Sequence, residues 1–339
     1  MSVRRALGVL AILGVVVVGG YTEAVSRGAE SAPSAAAAGA TPTPDSRYAG
    51  LVDALHARGT GVWIESDFVK AYLAGPTRYH YVLNAALALA RHPGVLGIKV
   101  ADELGYHDGT TPAQAAAVLR KAVADIHTAM PATKVLIDVV VPELGCLSWT
   151  AHATSEMRVC GATARGITPG ASIAAVDGYA ASGVDVIDLS TGLHDNSWYA
   201  AQGSSRDDAM RQCWQEAVRR WGSRVTLQAR KALAHAGRYT AGIAQAEADV
   251  HTYVDIPLAE GAKAADIWTW AQHYQGELVT ITDPQARPNA LTRALQERRA
   301  RGARLWTHMT PSTLQVGLQY DVSAASQQFD VIFVAAGTG

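Results

Sequence analysis

The segment Arg91-His92-Pro93-Gly94-Val95-Leu96-Gly97-Ile98-Lys99-Val100-Ala101-Asp102-Glu103-Leu104-Gly105-Tyr106-His107-Asp108-Gly109 decides how the chain is read. An Ala/Leu-faced helix stops at His92-Pro93, and an apolar run then reads as a buried strand. The strand ends in two adjacent acids and a Gly-flanked polar loop. Helix, buried strand and polar loop in that order form one unit of a parallel α/β protein, whose chemistry sits at the carboxyl ends of its strands.

The unit repeats along the chain. A helix from Tyr48 to Arg58 leads into a strand at Gly61-Val62-Trp63-Ile64-Glu65-Ser66-Asp67, and further strands read at Lys134 to Val141, Val184 to Ser190 and Arg224 to Arg230. Three more follow at Asp266 to Gln272, Arg304 to His308 and Phe329 to Val334, each after a helical stretch. With the opening segment this makes eight strands, which predicts an α/β fold of the (β/α)8 TIM-barrel class with strand 8 at the C-terminus. The helix at Tyr48 to Arg58 would cover the place usually taken by a final helix. A doubly wound open sheet is disfavoured, because no Gly-rich phosphate loop follows the first strand.

Barrel strands alternate between a face under the helices and a face inside the barrel, so a charged residue within an apolar strand is expected to point inward. This rule selects Glu65, Lys99, Glu103, Asp138, Asp188, Gln228 and Arg230. If Lys99 points inward then so does Glu103, which leaves Asp102 facing outward to cap the loop. Unpaired buried charge costs several kcal/mol, so the set must be mutually paired. Lys99 with Asp138 or Asp188, and Arg230 with Glu65, can also be read as structural ion pairs that fix the barrel. Paired carboxylates at a barrel mouth suit glycosidic-bond cleavage, in which one donates a proton and the other attacks or activates water. Glu103, Glu65, Asp188 and Asp138 are the candidate catalytic residues. Asp102, Tyr106, His107, Glu143, Gln228, Arg230, Trp270 and His308 are the candidate substrate contacts. Tyr106, Trp198-Tyr199, Trp268, Trp270, Tyr274 and Trp306 fall at or beyond strand ends, where flat rings can stack on sugars.

The run His92-Pro93-Gly94-Val95-Leu96-Gly97, followed by Ala101-Asp102-Glu103, resembles a segment of the retaining (β/α)8 glycoside hydrolases of the cellulase and β-galactosidase clan. There a helix, a Pro-containing turn and a strand end in Asn-Glu-Pro. The resemblance implies Glu103 as general acid/base, with Asp102 in place of the Asn that contacts the sugar. Leu104 stands where that family has Pro, and nothing at Thr307-His308 matches its nucleophile. The second carboxylate would then come from Glu65, Asp138, Asp188 or Glu143.

Composition and termini set the surroundings. Lys+Arg 29 against Asp+Glu 30 leaves a net charge of −1, with no basic run to mark a nucleic-acid binder. Arg4-Arg5 and the apolar run Ala6 to Gly20 read as an export signal within residues 1–27, followed by an Ala/Ser/Thr/Pro spacer over 28–46 and the barrel over 47–339. A secreted or extracytoplasmic glycosidase is therefore expected, acting on a carbohydrate or other small polar substrate. Membrane contact is expected only through an uncleaved N-terminal segment. No cofactor and no metal are expected for that chemistry. Cys146 and Cys160 could close a surface loop, leaving Cys213 odd or buried. Three alternatives stand beside this reading: Schiff-base lyase or aldolase chemistry through Lys99, a divalent-metal hydrolase or isomerase using Glu103, Asp138, Asp188 and His308, and a non-catalytic carbohydrate-binding barrel.

Overall fold

A computed structural model describes residues 45–223 and 226–335. The expected export signal, and all but the last residues of the expected spacer, lie outside the described residues. Among the described residues there are ten strands: β1 Gly61–Glu65, β2 Val95–Ala101, β3 Lys134–Val140, β4 Val186–Ser190, β5 Thr226–Ala232, β6 His235–Ala236, β7 Ala264–Tyr274, β8 Glu277–Thr280, β9 Leu305–Met309 and β10 Val331–Ala335. Eight of them pair in parallel in the order β1-β2-β3-β4-β5-β7-β9-β10, and β10 returns to β1, so the sheet closes into a (β/α)8 barrel. The extra strands β6 and β8 extend the end of β7 as an antiparallel flap.

The helices between strands follow from ordinary stop and start signals. In Pro112–Ala129, the Thr111 hydroxyl accepts from the Gln114 amide while the Gln114 side chain accepts from the Thr111 amide, and Pro112 fits the first turn. Its buried residues Ala115, Val118, Leu119, Ala122, Val123 and Ile126 recur at spacings of three and four. Burial of each large one contributes about 1.5–3 kcal/mol, so a charge at Leu119 would detach this helix. The helix Ser46–His56 buries Leu51, Val52 and Leu55 and packs on β1 and β10, over the seam that the expected leading helix was to cover. Among the described residues no helix is long and apolar enough to cross a membrane.

Two layers fill the barrel. The lower is apolar, built from Trp63, Leu136, Val186, Ala264, Trp306, Val331 and Phe333. Two residues further along β1, β3, β4, β7 and β9 stand Glu65, Asp138, Asp188, Asp266 and His308, so the strand period lifts an ionic layer directly above the apolar one. On β2 the lower position is Gly97, where a Cβ would come within 2.2 Å of the Trp63 ring; the glycine makes room for that indole. Trp306 therefore fills the barrel floor instead of standing at the mouth as expected.

Candidate active site

The ionic layer is organised by three cations. Lys99, 0% exposed, donates from Nζ to Glu65 Oε1 at 2.6 Å and to Asp102 Oδ1 at 2.7 Å, and lies 3.4 Å from Asp138 Oδ2. Arg230 donates to Glu103 Oε1 at 3.1 Å, with Asp138 Oδ2 at 2.7 Å and Asp102 Oδ1 at 3.6 Å. His308 stacks on Phe333 at 4.5 Å and is clasped on both sides, Nδ1 3.0 Å from Glu65 Oε2 and Nε2 2.8 Å from Asp266 Oδ2. Backbone register places these groups side by side: Glu65 opposite Lys99, Asp138 opposite Asp188, Asp188 opposite Gln228, and Arg230 opposite Asp266.

Burial and partners act against each other on the ionisation of this layer. Burial favours the neutral acid of Glu65, but Lys99 and then His308 hold it down at about 2. Asp102 is likewise kept well below the usual carboxylate range, against burial, by Lys99 and Arg230. Asp138 and Asp188 go the other way: burial pushes both well up, and neighbouring Asp266 adds to the effect at Asp188. His308 is raised to about 9 against burial by Asp266 and Glu65. The set thus contains six carboxylates (Glu65, Asp102, Glu103, Asp138, Asp188 and Asp266) against three cations. Asp188 and Asp266 share a side-chain hydrogen bond that favours the proton on Asp188, while Oε1 of Gln228 is buried without a hydrogen-bond donor.

The loop after β2 brings the layer to the surface. Glu103 adopts φ +46°, a left-handed conformation uncommon outside glycine. Just before it, a register shift between Lys99 and Ala101 breaks the strand alternation, so Asp102 turns inward onto Lys99 instead of outward as expected, while Glu103 still reaches Arg230. Gly105, at φ +75°, then passes so close to Gly170 that a Cβ would meet its carbonyl oxygen at 2.2 Å. Asp108 ties the loop by accepting from the amides of Gly105 and Thr110, both at 2.8 Å. The result presents the half-buried Glu103 carboxylate between Arg230 and His107, whose Nε2 lies 3.2 Å from Glu103 Oε2. The His107 ring packs against Tyr106 at 4.2 Å.

The structure gathers ten of the twelve candidate residues here: Glu65, Asp102, Glu103, Tyr106, His107, Asp138, Asp188, Gln228, Arg230 and His308. Two stand elsewhere. Trp270 is 0% exposed, donates to Asp321 Oδ1 at 3.0 Å and packs on Phe329, because a register shift between Ile267 and Ala271 turns it under the helices. Glu143 is a clamp, accepting from Arg165 at 2.5 Å and from the Ile173 amide at 3.0 Å. Tyr199 is buried, with its hydroxyl donating to Gly145 O at 2.6 Å, so it offers no face to a substrate. Arg230 pairs with Glu103 and Asp138 where Glu65 was the expected partner. Sequence reasoning passed over Asp266, although it carries the same signal as Asp138 and Asp188, an acid inside an apolar strand. A separate cavity of about 430 Å³ is lined by His273, Leu278, Gln285, Thr313 and Gln315 and includes none of the ionic layer.

No family model matches the chain, and no curated protein matches it. Solved structures do. One is a 2,3-dimethylmalate lyase described as a PEP mutase/isocitrate lyase superfamily member, with 15% identity over 86% of this chain and 81% of that one, at a TM-score of 0.40. Another is a putative phosphonomutase from Burkholderia cenocepacia, with 15% identity over 86% and 93% and a TM-score of 0.42. A third is the carboxyl transferase domain of Rhizobium etli pyruvate carboxylase, with 11% identity over 88% of this chain and 44% of that one, at a TM-score of 0.42. The expected kinship with the cellulase and β-galactosidase clan, and with it the hydrolase and glycosidase reading, is corrected: the solved structures this chain resembles are a lyase, a phosphonomutase and a carboxyl transferase. The site has its own physical reasons. Glu65 and Asp102 are both held ionised by Lys99, while the acids that burial pushes toward protonation, Asp138 and Asp188, are 0% exposed and out of reach of a glycosidic oxygen.

Proposed function

We propose that this chain is a barrel enzyme performing proton-transfer chemistry of the lyase or isomerase type on a small polar substrate, with Glu103 and His107 as the proton-transfer pair. The observation that carries the reading is Glu103 itself, a left-handed non-glycine residue at the barrel mouth whose two carboxylate oxygens face Arg230 and His107. Strained backbone persists where surrounding structure enforces it, and such positions cluster at active sites. Histidine as a residue type exchanges protons near neutral pH. In the proposed step Glu103 accepts a proton from substrate carbon or hydroxyl, the released electron pair forms the new double bond as the leaving bond breaks, and His107 returns a proton to the departing atom. Schiff-base chemistry through Lys99 is disfavoured. Its ammonium is fully buried and raised well up by Asp102, Glu65 and Asp138 against burial, so it has no free amine to offer.

A second reading adds a divalent cation, favoured by the surplus of carboxylates over cations in the ionic layer. Glu103, Asp138, Asp188 and His308, the set expected from sequence, do not converge as four ligands. Glu103 is bound to Arg230, and His308 lies between Glu65 and Asp266. A cation here would rest on the buried oxygens of Asp188, Asp266 and Gln228 and would displace the proton that Asp188 and Asp266 share.

The test is a screen of small hydroxy and oxo compounds for solvent deuterium incorporation, run with Mg²⁺ or Mn²⁺ and with a chelator. Glu103→Gln is expected to lower exchange at least ~10²-fold with an unchanged far-UV spectrum. Exchange at the wild-type rate in that variant would refute the role of Glu103, and chelator-insensitive exchange would refute the second reading.

A further inference from the structure

Away from the barrel mouth's ionic layer, three soft ligands meet on the segments that follow β3 and β4. Cys146 follows the short helix Pro142–Gly145, Cys160 lies in the helix Ser155–Ile167, and His194 stands in the loop beyond β4. Cys146 and Cys160 are bonded, and His194 Nε2 lies 3.1 Å from Cys160 Sγ and 3.8 Å from Cys146 Sγ. The imidazole is set in place by stacking on Trp198 at 4.3 Å and by an edge contact with Tyr199 at 6.2 Å. Among the described residues this is the one grouping of three His, Cys, Asp or Glu side chains whose ligand atoms lie within 4.8 Å of one another.

We propose that Cys146, Cys160 and His194 form a redox-gated site that is a disulfide when oxidised and holds Zn²⁺ when reduced. A disulfide needs no imidazole, yet His194 directs one ring nitrogen at both sulfurs. In a tetrahedral zinc site, bond lengths near 2.3 Å to sulfur and 2.0–2.1 Å to nitrogen put nitrogen about 3.5 Å from each sulfur. The observed 3.1 and 3.8 Å lie on either side of that separation, so His194 stands within reach of both sulfurs. What has to change is the sulfur–sulfur separation, which must open to about 3.8 Å. Half-buried Cys160 gives an incoming reagent access, whereas Cys146 is buried.

The chemistry balances with an external dithiol as reductant. It transfers two electrons and two protons to the disulfide, giving two thiols and the oxidised reductant, and Zn²⁺ binding then releases both thiol protons to solvent. Two thiolates and one imidazole leave a fourth position for water. The disulfide joins only the segment after β3 to itself, whereas the metal also ties in the segment after β4, so the two states brace the loops beyond Asp138 and Asp188 differently.

The experiment uses the full chain, reduced with a phosphine and separated from it, and titrated with Co²⁺ as a spectroscopic probe and with Zn²⁺ in competition. Expected are one equivalent bound, a thiolate-to-Co²⁺ charge-transfer band that Zn²⁺ abolishes, and no band in the oxidised protein. His194→Ala leaves both cysteines able to pair, and is expected to weaken Zn²⁺ binding at least tenfold. Cys213→Ser, at a buried thiol outside the cluster, is expected to keep the band. Absence of a thiolate band in folded, reduced protein, undiminished affinity in His194→Ala, or loss of the band in Cys213→Ser would each overturn the proposal.

Discussion

Replacing Lys99 by methionine keeps the length and packing of the side chain and removes its charge, which isolates what the ammonium contributes. Lys99 is 0% exposed and holds Glu65 at 2.6 Å and Asp102 at 2.7 Å. Glu65 is held at about 2 against an ordinary 4.5, a depression of about 2.5 units, and at about 1.4 kcal/mol per unit this is ~3 kcal/mol shared between Lys99 and His308. Asp102 adds to it in the same direction. Removing one member of a buried ion pair costs about 3–5 kcal/mol, so the two routes agree. At about 2–4 °C per kcal/mol for a domain of this size, Tm at pH 7 should fall by roughly 6–20 °C. The sign of the pH dependence follows from the depressed carboxylates. Their contribution is present above their unfolded values near 4 and is lost as pH falls through the folded ones, so the gap between wild type and Lys99→Met should narrow at pH 3. Calorimetric melts of both proteins at pH 7 and pH 3 measure this. A loss below about 1 kcal/mol, or the same loss at both pH values, would show that Lys99 acts as a packed stem and not as a counter-charge.

His308 is raised to about 9 from 6.5, so its contribution of roughly 3 kcal/mol is complete below pH 6.5 and disappears as pH rises through 9. Melts across that window should fall more steeply for wild type than for His308→Asn; parallel curves would contradict the pairing with Asp266 and Glu65. Trp270→Phe removes the bond to Asp321 and should cost about 1–2 kcal/mol by denaturant melt while leaving turnover unchanged, since the ring lies under the helices. Glu143→Gln should likewise lower stability by about 1–2 kcal/mol through Arg165 and the Ile173 amide, with no change in deuterium exchange; a large loss of exchange would return Glu143 to the site.

The barrel was legible because its strands, covered by helices, read as apolar runs bounded by Pro, Gly and capping residues such as Thr111. The inward acids were legible by the same alternation, which holds wherever the strand is regular: Trp63 and Glu65, Leu136 and Asp138, and Val186 and Asp188 share a face as two-residue periodicity requires. It fails where the backbone departs from a strand. Glu103 takes a left-handed φ that its residue type gives no reason to expect, and the register shift between Lys99 and Ala101 reverses the direction read for Asp102. The shift between Ile267 and Ala271 does the same to Trp270. Partner choice was not legible either, because Arg230 selects Glu103 and Asp138 over Glu65 through barrel closure and not through any local pattern.

A barrel interior of branched apolar residues would serve stability better than the layer found here, since buried ion pairs seldom outperform well-packed hydrocarbon. This chain keeps six carboxylates over an apolar floor, with only three cations among them. What the layer provides is control over ionisation one level up. Lys99 and His308 hold Glu65 ionised, and Lys99 with Arg230 holds Asp102, while Arg230 also grips Glu103 beside His107. The charges of Glu65 and Asp102 beneath the mouth are thus set from inside the barrel. A substitution at a fully buried position such as Asp266, which touches no solvent, is accordingly expected to reach the mouth through His308 and Glu65.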